Sequence, residues 1–139
     1  MKKRITSGIL ILALVLTSIV STSSAYTSSS VQPRWSTMSS FTAQLDVSSL
    51  GHMDCTCRAR LRDSSDSTDL TMSLQRSSNG TSWTTVKTWT DSGRGSVSMD
   101  ESWYVLSGYS YRVKVTAEVY NSSGTLVESA TAYSSIVEY

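Results

Sequence analysis

Few side chains in this sequence are equipped for chemistry, and they are scattered. Histidine occurs once, as His52, whereas nucleophilic or general-base catalysis calls for a poised imidazole, or a thiol beside a basic partner, in a concave site. His52 closes the stretch Ser48-Ser49-Leu50-Gly51, which reads as a turn and leaves the ring at the surface. Serines abound, yet none stands in the Gly-x-Ser-x-Gly elbow that holds a nucleophile at a strand-to-helix turn. Asp100 and Glu101 are adjacent carboxylates, but neighbours in a strand point to opposite faces, and glycoside hydrolysis needs a facing pair. No catalytic residue is expected, and a small hydrolase is the weakest of the functional readings.

Metal binding has two candidates. Asp63, Asp66 and Asp69 recur every third residue in a polar stretch, and calcium favours clustered oxygen ligands. The every-second-residue spacing of an EF-hand and its glycine are missing, so a solvated loop stands against a weak calcium site. Cys55-Thr56-Cys57 offers two thiols with one histidine elsewhere, short of the four ligands of structural zinc. No cofactor is expected. Cys55 and Cys57 share a strand face with Met53, Ala59 and Leu61, and two buried free thiols are expected there. Their α-carbons would lie roughly 6.6 Å apart in an extended strand, near the upper limit for a disulfide. A strained local bridge or a bond between chains is the alternative.

Aromatic residues carry the strongest binding signal. Trp103, Tyr104 and Tyr109 fall in an irregular connection between strands, and Trp35 lies just ahead of the first strand. Loops carry function on rigid scaffolds, and Tyr and Trp are enriched at interfaces. These four are the predicted ligand-binding residues, against the reading that the rings cap an open end of the core. Trp83 and Trp89 share strand parity, opposite to Val86, so one face there should carry two indoles. Arg58, Arg60 and Arg62 lie outward on the second strand, and Arg112 and Lys114 outward on the sixth. They form two modest patches, either ordinary solvated faces or contacts to an anionic wall polymer or polysaccharide.

These residues must be positioned by strands, because period-2 alternation runs through the chain from Thr37 onward. Phe41, Ala43, Leu45 and Val47 mark the first strand; Met53, Cys55, Cys57, Ala59 and Leu61 mark the second. Asp63 to Asp69 reads as a loop into Leu70, Met72 and Leu74. Ser77-Ser78-Asn79-Gly80 reads as a hairpin turn returning through Trp83 to Thr90, since Asn and Gly accept the positive φ such turns require. Asp91 to Gly95 reads as a turn, Val97 and Met99 as a short strand, and Trp103 to Gly108 as the irregular connection. Tyr111, Val113, Val115, Ala117 and Val119 form the longest alternation, and Asn121 to Gly124 turns it into Leu126 to Tyr133. About seven strands at short, even spacing predict an all-β, two-sheet antiparallel sandwich, with a small closed β-barrel as the alternative.

The first 25 residues have another purpose. Met1-Lys2-Lys3-Arg4 is a basic n-region, Ile9 to Val20 an apolar run, and Ser23 and Ala25 the small residues before a cut ahead of Tyr26. The run is short of the roughly 20 residues a spanning helix needs, so a cleaved signal peptide and no remaining membrane span are expected. The domain division is then 1–25 signal peptide, 26–36 flexible leader and 37–139 one sandwich. Loss of Lys2, Lys3 and Arg4 turns a formal charge of +1 into about −2, which offers nucleic acid no concentrated basic surface.

Two stretches, Leu74 to Val86 and Leu106 to Ala117 with Tyr111 at its centre, resemble the third-to-fourth strand hairpin and the sixth strand of fibronectin type III modules, within an immunoglobulin-like layout. That resemblance implies that the Tyr111 hydroxyl ties back to the preceding loop. The spacing from Leu106 to Tyr111 is one residue shorter than usual, and the proline common before the glycine is absent. With its leader and Arg34-Trp35, the chain also resembles small secreted proteins of Gram-positive bacteria, which implies an extracellular or cell-surface location. The expected function is a non-catalytic module binding a surface protein or glycan through loop aromatics. A self-associating structural protein and a secreted toxin or bacteriocin-like factor are the alternatives.

Overall fold

A computed structural model describes residues 34–139. The expected signal peptide, its cut between Ala25 and Tyr26, and most of the leader lie outside the described residues. Strands follow in the order β1 (Met38–Val47), β2 (His52–Leu61), β3 (Ser67–Ser77), β4 (Thr84–Arg94), β5 (Ser96–Tyr104), β6 (Ser110–Tyr120), β7 (Leu126–Tyr133) and the short β8 (Val137–Glu138). Among the described residues no helix is long and apolar enough to cross a membrane.

All pairings are antiparallel, and they build two sheets that do not close into a barrel: β1-β2-β5, and β4-β3-β6-β7 with β8 also on β6. The core lies between them because alternation gives each sheet one apolar face. Met53, Cys55, Cys57, Ala59 and Leu61 of β2 meet Leu70, Met72 and Leu74 of β3 and Tyr111, Val113, Val115, Ala117 and Val119 of β6 in one buried cluster. The two-sheet sandwich read from the sequence is therefore the fold.

Five local expectations change. β4 runs on to Arg94, so the turn expected at Asp91 to Gly95 contracts to Gly95, whose φ of 70° reverses the chain directly into β5. β5 is longer than expected and takes in Trp103 and Tyr104, which pair with Met53 and His52 of β2. His52 thus opens a strand rather than closing a turn. Asp69 belongs to β3, paired with Ser92 and Glu118, because the alternation of Thr68, Leu70 and Met72 begins before the first apolar residue. Trp35 and Ser36, expected in the leader, pack on the domain: the Trp35 ring meets Phe41 edge-on at 6.0 Å, and Ser36 N–H donates to Glu128 at 3.0 Å.

A β-bulge changes a face assignment. Leu74 pairs with Lys87 and Gln75 with Thr85, so Val86 is an extra residue in β4 and the strand's parity slips there. Val86 and Trp89 both pack against the core, whereas Trp83 turns to the outer face. The two indoles read as sharing a face are on opposite ones.

Candidate functional site

The aromatic residues singled out in the sequence do not form one surface. Trp103 and Tyr104 are consecutive in β5 and point to opposite sides of the sheet. Trp103 sits beneath the Lys87 ammonium, 4.6 Å from its ring centre, at the seam where β4 and β5 meet. Tyr104 is exposed and meets His52 edge-on at 4.9 Å; His52 in turn reaches Asp54 at 3.3 Å. Tyr109 lies against Tyr111 at 6.4 Å and under the Arg76 guanidinium at 4.5 Å, partly buried on the core. With Trp35 on Phe41, the four rings occupy four separate places.

The metal candidates also separate. Asp63 accepts hydrogen bonds from the Ser65 amide and hydroxyl, both 2.8 Å, and these hold its carboxyl below the ordinary range. Asp69 stands in β3, and among the described residues no three His, Cys, Asp or Glu side chains converge. Cys55 and Cys57 are buried free thiols. Burial, with the charges of Asp54 and Glu101 behind it, pushes the Cys55 thiol up to about 12, and burial raises Cys57 too.

A different group converges on the outer face of β4-β3-β6-β7. Arg112 of β6 holds its guanidinium 4.2 Å from the Trp83 ring and 4.5 Å from the Tyr133 ring. In strand order Trp83 approaches from the β4 side and Tyr133 from the β7 side. The Arg112 Nε–H donates to Gln75 Oε1 at 2.9 Å, and Gln75 is buried beneath the group. Among the described residues the only ion pair is His52 with Asp54, so Arg112 has no carboxylate partner. Lys114, paired with Tyr133 across to β7, is a second cation on the same face without one.

Local sequence fixes each member. Ser77 Oγ accepts the Asn79 and Gly80 amides, while Asn79 Oδ1 accepts those of Thr81 and Ser82, and Gly80 takes φ 74°. That closed loop delivers Trp83 to the sheet. On the other side, Ser134 N–H donates to the Val113 carbonyl and Ser134 Oγ accepts the Val113 amide, which fastens the chain to β6 where β7 ends at Tyr133. Hydroxyls continue the face: Thr90, Thr71, Thr116 and Thr131 stand side by side across the four strands, and Ser73 and Thr88 lie 3.3 Å apart.

Arg112 was legible in the sequence as an outward cation, but its two rings were not. Trp83 was assigned by a parity that the Val86 bulge breaks. Tyr133 falls opposite Lys114 only because a second irregularity, between Val119 and Tyr120, shifts the β6–β7 register. The readable signal was the Asn79-Gly80 turn, which places Trp83 beside the end of β3 whatever follows it.

Two shallow hollows mark the outer faces. One, of about 420 Å³, is lined by Thr42, Gln44, Thr56, Arg58, Ser98 and Asp100 on β1-β2-β5. The other, of about 480 Å³, lies among Asp69, Thr71, Thr90, Asp91, Ser92 and Glu118. Cys57 and Met99 also border the first hollow and Leu70 the second, and neither hollow is lined by a histidine.

Comparison with protein-family models finds no match to this chain, and comparison with curated proteins finds none either.

Proposed function

We propose that this chain is an exported, non-catalytic binding module of the fibronectin type III kind, secreted or held at the surface of a Gram-positive bacterium, and that it engages a surface protein or glycan. The observation that carries the binding reading is the Arg112 guanidinium, held within 4.5 Å of the Trp83 and Tyr133 ring centres and lacking an acidic partner. Guanidinium and aromatic groups are enriched at recognition surfaces because both give up water readily and contact planar or apolar partners. Support for the family reading comes from the strand order β1-β2-β5 and β4-β3-β6-β7, and from the Tyr111 hydroxyl, which donates to the Leu106 carbonyl at 2.6 Å.

The binding residues of this reading are Trp83, Arg112 and Tyr133 in place of the dispersed Trp35, Trp103, Tyr104 and Tyr109. A self-associating structural role is the second reading, favoured by exposed Leu126, Val127 and Tyr133 on β7 and Ile136 just beyond it. An edge strand of that kind can pair with another chain.

The test is a pull-down with the immobilised domain against wall fractions, glycans and surface proteins. Capture should be lost in a Trp83→Ala/Tyr133→Ala variant that keeps its β-type circular dichroism, and kept in Tyr104→Ala on the other sheet. Retained capture in the double variant would overturn the assignment of the site.

A further inference from the structure

We infer that the Trp83–Arg112–Tyr133 group is a subsite for a carboxylate-bearing sugar, so that the ligand is an acidic polysaccharide of the uronate type. This rests on the binding reading above and names its ligand chemistry.

The guanidinium geometry selects the anion. A guanidinium presents five N–H donors in one plane. The Nε–H of Arg112 is taken by Gln75, which leaves the two terminal nitrogens as an end-on fork. Rings from the β4 and β7 sides lie within 4.5 Å of the guanidinium carbon. With both rings this close, the approach to the fork is narrowed. An acceptor with two coplanar oxygens, a carboxylate, fits such a fork in bidentate fashion. A tetrahedral phosphate or sulfate can take the same fork with two oxygens, but it brings further oxygens that must also fit beside the two rings.

The surroundings select a sugar as the carrier. Tyr133 is half exposed, and an aromatic ring beside a charged fork offers apolar surface to the C–H face of a pyranose while the fork takes the carboxylate. Beyond it the Thr and Ser hydroxyls of Thr71, Ser73, Thr88 and Thr116 supply donors and acceptors on a shallow surface. Lys114 is positioned for the charge of a neighbouring sugar. Asp69 and Glu118 stand at the far end of the same face, and Glu138, which accepts the Ser110 hydroxyl at 2.7 Å, borders it beyond Arg112. Between these carboxylates an anionic chain is directed across the strands rather than along them.

Binding of the domain to polygalacturonate, its fully methyl-esterified form, dextran and a poly(glycerol phosphate) decides the matter, with ultracentrifugation run alongside. Polygalacturonate should bind, at least tenfold more tightly than the ester, dextran or the phosphate polymer. Arg112→Lys, which keeps the charge and loses the fork, should weaken that binding at least tenfold. Lys114→Gln, further from the rings, should weaken it about threefold and covers the case in which Arg112→Lys fails to fold. Equal binding of the ester or dextran would overturn the carboxylate while leaving a glycan-binding module. Preference for the phosphate polymer would overturn it in favour of a tetrahedral anion. Binding of no polymer, with protein capture still dependent on Trp83 and Tyr133, would overturn the inference and keep the binding reading. Dimerisation abolished by Trp83→Ala/Tyr133→Ala, without polymer binding, would assign the face to a second copy of the chain.

Discussion

Cys55 shows how far a single residue can be read from its neighbours in sequence. Alternation alone placed both thiols inward, because a strand's period is fixed by backbone geometry. The structure has Cys55 wholly buried and Cys57 nearly so. Their reactivity follows from that burial, since a thiol must ionise to attack a reagent. A thiol-reactive probe at pH 8 should leave the folded domain unlabelled and mark both residues after denaturation without reductant; labelling that requires reduction would reveal a disulfide. The raised acidity constant also makes stability pH-dependent. Below the ordinary value of 9.0, both folded and unfolded thiols are protonated and the contribution of Cys55 is intact. Between 9.0 and about 12 only the unfolded thiol ionises, so stability falls by up to about 1.4 kcal/mol per pH unit. Urea midpoints at pH 8 and 10.5 should differ more for the parent than for Cys55→Ala; equal slopes would clear Cys55 of the effect. The tie of the Tyr111 hydroxyl to the preceding loop was implied only by the resemblance to fibronectin type III modules, and that hydroxyl donates to the Leu106 carbonyl. The roles of Trp83 and Tyr133 were not legible, because their partner Arg112 is distant in the sequence.

At the scale of elements, strands were readable and their ends and slips were not. Each slip is a bulge, at Met38 to Ser40, at Val86, and at Val119 to Tyr120. A bulge inserts one residue without any change in composition, so alternation on either side looks continuous. Contacts between the ends of distant strands were hidden for the same reason. Glu128 of β7 accepts the Ser36 amide at 3.0 Å, the Thr37 amide at 2.9 Å and the Thr37 hydroxyl, fastening the start of β1 to the opposite sheet. Burial pushes the Glu128 carboxyl up, but the hydrogen bonds from Thr37, Ser36 and Met38 prevail and hold it below its ordinary 4.5. The carboxylate therefore stabilises the fold above pH 4.5, and that contribution fades as pH falls through the lowered folded value. Glu128→Gln should cost at most about 1 kcal/mol at pH 7 once solvent screening is allowed for, and the deficit against the parent should be smaller at pH 3. Equal deficits at both pH values in chemical denaturation would mean that the ion contributes nothing beyond its shape.

For the whole molecule, the all-β class followed from periodicity because a two-sheet sandwich and a closed barrel each bury one face of every strand, and alternation by itself does not choose between them. The sheet order did not follow, since alternation says which face is inward and nothing about which strand is next. That order decides the candidate site: β4 and β7, the outer strands of one sheet, bring Trp83 and Tyr133 to Arg112 on β6 between them. It also spreads the four tryptophans over the molecule. Trp35 lies on Phe41 at the start of β1, Trp83 on the outer face, Trp89 on the inner face of β4, and Trp103 at the end of β5. If the buried cluster is one cooperative core, the four positions report one event. Four variants, each keeping one tryptophan and carrying phenylalanine at the other three, test this by fluorescence during denaturation. Each variant's fluorescence midpoint should coincide with its own midpoint by circular dichroism. Trp35 is the position under most strain from the alternative, because it precedes the first core residue, Met38 at the start of β1, and packs edge-on against Phe41. An earlier fluorescence transition in the Trp35 variant alone would show that this end opens as a separate unit of lower stability, and would break the link drawn between Glu128 and the stability of the whole domain.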